Sequence, residues 1–212
     1  MMTTLRSRPA FMTGLLLTLL GPLLAGLSGC AGSDPGPSSY LLPSTAPATH
    51  YPRAMAVAVA PVGIAGHLDG DGIMLQLNDI EVYQARQHRW AEDIGKQLQQ
   101  RLQQRLTQSL NQAQVVSKGQ PLQEGVPVRE IRVQVSRFQG HHDGIALAEG
   151  QWQLLDGGGR LLKQANFSVE QPLADDGYPA LVRALGAAWE QLADQLAAEL
   201  GQPAATPAQA AL

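Results

Sequence analysis

Cysteine is nearly missing from this chain: 212 residues contain one, Cys30. A disulfide framework, a thiolate metal site built from several cysteines and a cysteine nucleophile inside a folded body are therefore excluded. Charge is sparse as well, at 16% Asp, Glu, Lys and Arg, and no basic cluster is present to track phosphates, which argues against nucleic acid as a partner. Hydrolase signatures are lacking too: no Gly-x-Ser-x-Gly, His-Glu-x-x-His or Ser-x-x-Lys occurs. The longest apolar segment, Phe11 to Leu24, is interrupted by Gly21-Pro22 and is too short and wrongly flanked for a membrane span.

What is present begins with Leu27-Ser28-Gly29-Cys30, directly behind that segment. Arg6 and Arg8 make a positive n-region, Phe11 to Leu24 an apolar h-region, and Ala25, Gly26, Ser28 and Gly29 supply the small residues a peptidase needs. The pattern resembles a bacterial lipobox. Residues 1–29 are then a lipoprotein signal peptide, with Leu27, Ser28 and Gly29 recognised by the peptidase. Cys30 becomes the new N-terminus, its thiol carrying a diacylglycerol and its amine an acyl chain, and no other cofactor is expected. Stable residence in a bilayer takes two or more chains, at about 0.8 kcal/mol per buried methylene. Ala31, not Asp, follows the cysteine, and resemblance to such lipoproteins then favours the outer membrane, facing the periplasm.

Removing residues 1–29 leaves 183, with 13 Lys and Arg against 18 Asp and Glu, a formal charge of −5. That is enough for one domain with a real core. Residues 30–39 read as the lipidated N-terminus and a flexible tether of Gly, Ser, Asp and Pro, reaching roughly 30 Å when extended. The folded domain is expected over 40–201, and 202–212, rich in Ala and Pro, as a disordered tail.

Within the domain, Tyr40-Leu41-Leu42 reads as a short strand and Ala54 to Val62 as a buried one ending at Pro61. Ile73 to Leu77 and Ile80 to Tyr83 read as two strands separated by Asn78-Asp79. Trp90, Ile94, Leu98, Leu102, Leu106 and Leu110 recur every four residues, which predicts a long amphipathic helix from Trp90. A four-residue repeat advances about 40° per step, so the stripe travels some 200° around the helix. Either the surroundings wrap it, or Leu106 to Leu110 meets a second copy in a homo-oligomer. Val115 to Ser117 reads as a brief strand.

Arg129 to Phe138, Ile145 to Leu155 and Arg160 to Val169 read as an antiparallel meander, the last two joined by a turn at Asp156-Gly157-Gly158-Gly159. Pro179 opens a second helix striped by Leu181, Leu185, Trp189, Leu192, Leu196 and Leu200 and closed at Gly201. The expectation is a single α+β domain, a largely antiparallel sheet packed against two long amphipathic helices.

Candidate chemistry is thin. His141-His142-Asp143 is the nearest thing to a metal or proton-transfer cluster, but adjacent side chains in a loop are expected to diverge, so no metal is assigned. A calcium loop begun at Asp69 needs Gly and Glu where Met74 and Ile80 stand. The glycines at 157–159 precede no Lys-Ser or Lys-Thr and make a turn, not a phosphate cradle. Arg89-Trp90-Ala91-Glu92 reads as a core Trp beside a solvated ion pair. Catalytic residues are accordingly none. A hydrolase with an unfamiliar site would have to gather His67, or His141 with Asp143, in a cleft.

The lipobox, Tyr40-Leu41-Leu42, Val57-x-Val59-x-Pro61, the Asp79 to Tyr83 segment, Arg89-Trp90-Ala91-Glu92 before a Leu-striped helix, and the closing strands and helix together resemble the PqiC/YmbA family. These are auxiliary lipoproteins of ABC-type intermembrane transport. Asp93, where the family often has Pro, and the run Asp69 to Gly72 depart from its pattern. The resemblance implies a non-catalytic lipoprotein at the periplasmic face of the outer membrane, partnering an MCE-domain protein and an inner-membrane permease or ABC transporter. The alternative is a stand-alone periplasmic lipoprotein binding a lipid or other apolar ligand in an internal pocket.

Overall fold

The computed structural model describes residues 36–202. The signal segment, Cys30, the first part of the tether and residues 203–212 lie outside the described residues, so the lipidation and tail readings fall there. Strands β1 (Ser38–Tyr40), β2 (Met55–Val59), β3 (Gly63–Ile64), β4 (Gly72–Gln76), β5 (Val82–Trp90), β6 (Ala113–Ser117), β7 (Val128–His141), β8 (Ile145–Asp156) and β9 (Leu161–Pro172) share one sheet. Helix α1 (Ile94–Ser109) joins β5 to β6, and α2 (Tyr178–Gly201) follows β9.

The sheet is organised by β7. One of its edges pairs antiparallel with β8 along nearly its whole length, and β9 continues that meander as the sequence pattern predicts. The other edge is divided among three parallel partners: β2 beside Val128 to Ile131, β3 beside Gln134 and Val135, and β4 beside Gly140 and His141. With β1–β5 and β2–β6 also parallel, the sheet is mixed, which corrects the expectation of a largely antiparallel one. The cause is pairing between segments far apart in sequence, where crossovers through helices and loops bring strands together in the same direction.

Side chains of Ile131, Val133 and Val135 point to the helix-covered face, while Arg132, Gln134 and Ser136 point outward. Trp90 is the last residue of β5, its N–H donating to the Asp71 carbonyl at 2.6 Å, so α1 begins later than the Leu stripe predicts. Asp93 caps it, its side chain accepting from the Lys96 N–H at 2.8 Å. Leu98, Leu102, Leu106 and Leu110 are each fully buried, so the travelling stripe is wrapped within one chain and the motive for a second copy there disappears. Helix α2 is Ala-rich and buries 13 of its 24 residues. It is a core helix with a broad apolar girth, not a second narrow-striped amphipathic one. Phe138 and Phe167 meet the Trp189 ring edge-on at 6.2 and 6.4 Å.

Strand β1 starts at Ser38, inside the stretch read as tether, and Leu41 and Leu42 lie beyond it. Residues 41–54 then run as a strap over the helices. Leu42 is buried with its N–H on Gln97 Oε1 at 2.9 Å, Pro43 fills the space left by Gly186, and the Tyr51 N–H donates to the Ser109 carbonyl at 2.7 Å.

Candidate functional site

The strap is held at Thr45. Arg105 of α1 forms a bidentate pair with Asp194 of α2 at 2.7 Å through both Nε and Nη2, and its Nη1 donates to the Thr45 carbonyl at 2.7 Å. Glu190 accepts from the Thr45 N–H at 2.5 Å and hydroxyl at 2.7 Å. The Asp194 hydrogen bonds hold the Arg105 pKa above its ordinary value against the opposing effect of burial. This arrangement is a clamp between strap and helices, with every charge engaged by protein, and it offers no group free for chemistry.

At one end of the sheet lie the β4–β5 hairpin, the β7–β8 loop and the start of α2. Asn78 builds the hairpin turn: its Oδ1 accepts from the N–H groups of Ile80 at 3.1 Å and Glu81 at 2.8 Å. That turn throws Ile80 outward to 88% exposure, so Ile80 is a turn residue and not the strand residue the apolar run predicts. Leu77, Val82 and Tyr83 are also exposed. Consecutive residues of a strand point to opposite faces, so exposure of Val82, Tyr83 and Gln84 together means that the hairpin projects past the layers that bury the rest of the sheet. Below the tip, the Tyr40 hydroxyl hydrogen-bonds His88 Nδ1 at 2.9 Å and the Tyr178 ring stacks on His88 at 3.9 Å. Burial, then the proximity of Tyr83 and Tyr40, raises the Tyr178 pKa.

His141, His142 and Asp143 do not diverge: Asp143 sits 3.1 Å from His141 Nδ1 and 2.8 Å from His142 Nδ1, and one ligand atom from each residue lies within 4.8 Å of the others. The tight β7–β8 turn, with Gly144 at φ +77°, folds the three together. His142 and Asp143 are exposed on this loop. His67 is exposed in the short 3-10 turn Gly66–Leu68 and is not part of the cluster of His141, His142 and Asp143 among the described residues. Trp90 is a core residue as expected, but Arg89 donates to the Arg86 carbonyl at 2.9 Å instead of pairing with Glu92. Gly157 to Gly159 do form the β8–β9 turn, closed by Asp156, whose carboxylate accepts from the N–H groups of Arg160 and Gly158 and is held below its ordinary pKa by them.

The face of the sheet away from the helices is polar, carrying Arg132, Gln134, Gln151, Gln153, Gln164 and Asn166, and depressions on it are open and lined by these chains. Strand β9 leaves a 12-residue edge with Leu161 and Leu162 exposed at one end. Among the described residues no helix is long and apolar enough to cross a membrane.

A protein-family model for the ABC-type transport auxiliary lipoprotein component matches residues 40–197, almost all of the described domain. The chain belongs to that family. Family membership makes it a transport auxiliary lipoprotein by kind, and the intermembrane transport lipoprotein PqiC of Escherichia coli (strain K12) is a relative, 30% identical over 177 residues that cover 82% of this chain and 91% of PqiC. PqiC of Shigella flexneri matches to the same extent. Among solved structures, the crystal structure of an uncharacterised protein is 28% identical, with a TM-score of 0.67, covering 78% of this chain and 99% of that one. A protein from Xanthomonas campestris shares the fold at 18% identity and a TM-score of 0.58, covering 76% of this chain and 91% of that one.

Proposed function

We propose that this auxiliary lipoprotein is a non-catalytic docking subunit at the periplasmic face of the outer membrane, anchored through acyl chains on Cys30. It receives an MCE-domain protein that works with an inner-membrane permease or ABC transporter, and so supports membrane integrity. The observation that carries this reading is the family match along the whole domain, joined to near-complete coverage of PqiC, a protein named for intermembrane transport. The packed interior is consistent with a scaffold: Leu98, Leu102, Leu185, Trp189 and Leu192 fill the space between helices and sheet, where an apolar ligand would need room. With Leu106 and Leu110 buried, the free β9 edge is left as the surface for a partner segment, which can add to it as a further strand.

Co-purification of the tagged lipoprotein with the MCE-domain protein encoded near it, in mild detergent, tests the docking role; repeated absence of that protein refutes it. Intact-mass measurement of the membrane-extracted chain tests the anchor. The expected species begins at Cys30 and carries diacylglycerol plus one acyl chain, and Cys30→Ala leaves the longer, unmodified precursor. A mature wild-type chain without lipid would refute the anchor.

A further inference from the structure

The β4–β5 hairpin tip projects Leu77, Ile80 and Val82 among Asn78, Asp79 and Glu81, and the docking role does not use it. Strand β1 runs parallel to β5, with Ser38 opposite His88 and Tyr40 opposite Trp90. The backbone therefore comes into Ser38 from the side on which β5 begins, the side of the hairpin turn. From the level of His88 to Val82, the start of β5, is six residues, about 20 Å at strand rise. Seven residues lie between Cys30 and Ser38, which makes eight Cα-to-Cα steps and a reach of at most about 29 Å. A tether of that length is long enough for the plane of the hairpin tip to lie within the anchor's reach.

We propose that the tip, led by Ile80 with Leu77 and Val82, inserts into the interface of the bilayer that holds the acyl chains, as a second membrane contact that orients the domain. The proposal rests on the anchorage reading. Ile80 at 88% exposure is held outward by the Asn78 turn, and the exposed Tyr83 beside Val82 is an amphipathic ring of the kind that suits a headgroup boundary. Asp79 and Glu81 flank Ile80, so the surface that fits is a zwitterionic lipid face and not a strongly anionic one. An anchor alone leaves the domain free to swivel; an apolar tip beside it fixes which end faces the lipid.

The test uses the full lipoprotein in phosphatidylethanolamine–phosphatidylcholine vesicles, with Ile80→Cys labelled by an environment-sensitive fluorophore and Gln153→Cys on the polar sheet face as the comparison. The expected result is blue-shifted emission at position 80, lost on adding a lipid-borne quencher, while position 153 reads as water. Emission at position 80 that matches position 153 overturns the proposal. A blue shift untouched by the lipid quencher also overturns it, since a protein surface, the MCE partner or a second copy, then covers the tip. The same labels on the mature chain begun at Ala31, which has neither the signal segment nor acyl chains, separate the two readings on adding vesicles, because vesicle association there rests on the domain's own surface. In that background Ile80→Asp lowers partitioning at least about tenfold, the ratio that burial of one Ile side chain supports; unchanged partitioning overturns the proposal whether or not the wild type is lipidated.

Discussion

The Trp189 indole N–H of α2 donates to the backbone carbonyl of Leu98 in α1 at 3.0 Å, across 91 residues of sequence. Both residues are buried, so this bond fixes the separation of the helices at the centre of the core. Trp189→Phe is expected to lose the bond and some volume, costing about 1–2 kcal/mol, whereas Trp189→Ala empties the space against Phe138 and Phe167 and costs about 3–5 kcal/mol. Urea unfolding followed by circular dichroism checks the order; equal losses would show that the hydrogen bond, which both variants lose, outweighs the packing.

Gly150 lies in β8 opposite the register shift between Val135 and Arg137 of β7. A Cβ there would come within 2.1 Å of the Gln134 carbonyl oxygen and 2.9 Å of the Phe167 ring, and backbone cannot step aside cheaply. Gly150→Ala should lower stability by about 3 kcal/mol or more. Gly158→Ala, whose nearest neighbour is 3.4 Å away in an exposed turn, should change it by no more than about 0.5 kcal/mol. Thermal melts of the pair give the comparison.

Arg105 is 8% exposed and joins Asp194, Glu190 and Thr45. Arg105→Met should cost about 2–4 kcal/mol, because Glu190 and Thr45 lose their buried partner. It should also expose the strap: hydrogen exchange at the Thr45 amide and proteolysis within 41–54 should accelerate. Asp194 is about half exposed, and Asp194→Asn should do less of both. A strap as protected as in the wild type would show that Leu42 and Tyr51 suffice to hold it.

Glu130 accepts from Lys118 Nζ at 2.8 Å and Arg132 Nε at 2.6 Å. Burial by itself raises its pKa, but the two cations outweigh it and hold the carboxyl below its ordinary value of 4.5. A depressed folded pKa contributes stability above the unfolded pKa, and that contribution is lost as pH falls through the folded value. The melting temperature of Glu130→Gln should therefore lie below wild type at pH 7, by no more than about 1 kcal/mol in stability, and the gap should close below pH 4.5. A gap that persists in acid would assign the effect to shape instead of charge.

Local patterns carried much of this fold. Alternation over Arg129 to Phe138 and the Asp156 turn foretell the meander, and the stripe from Ile94 to Leu110 foretells α1, because both periodicities are set by burial of neighbouring residues. Direction of pairing is another matter. Nothing local in Val57, Gly63 or Leu75 states that all three segments share one edge of β7, since that depends on crossovers dozens of residues long. Trp90 fits the helical stripe by spacing yet ends a strand, because Asp93 caps the helix after it. Ile80 is hidden by its company: beside Val82 and Tyr83 it reads as the start of a strand, and only the Asn78-Asp79 turn immediately before it marks a loop tip. The His141-His142-Asp143 cluster is likewise a product of turn geometry, which spacing alone does not convey.

The parallel ladder of β1 on β5 has a mechanical consequence. Tension arriving at Ser38 from the N-terminal side, back along the strand axis, loads its backbone bonds in shear, so they must yield together instead of peeling one by one. Behind them stand Leu42, Pro43 wedged at Gly186, and the Thr45 clamp, each bound to a helix in the core. A tug on the tether is therefore shared between sheet and helices, and the domain can bear a partner's pull without unravelling from its first strand.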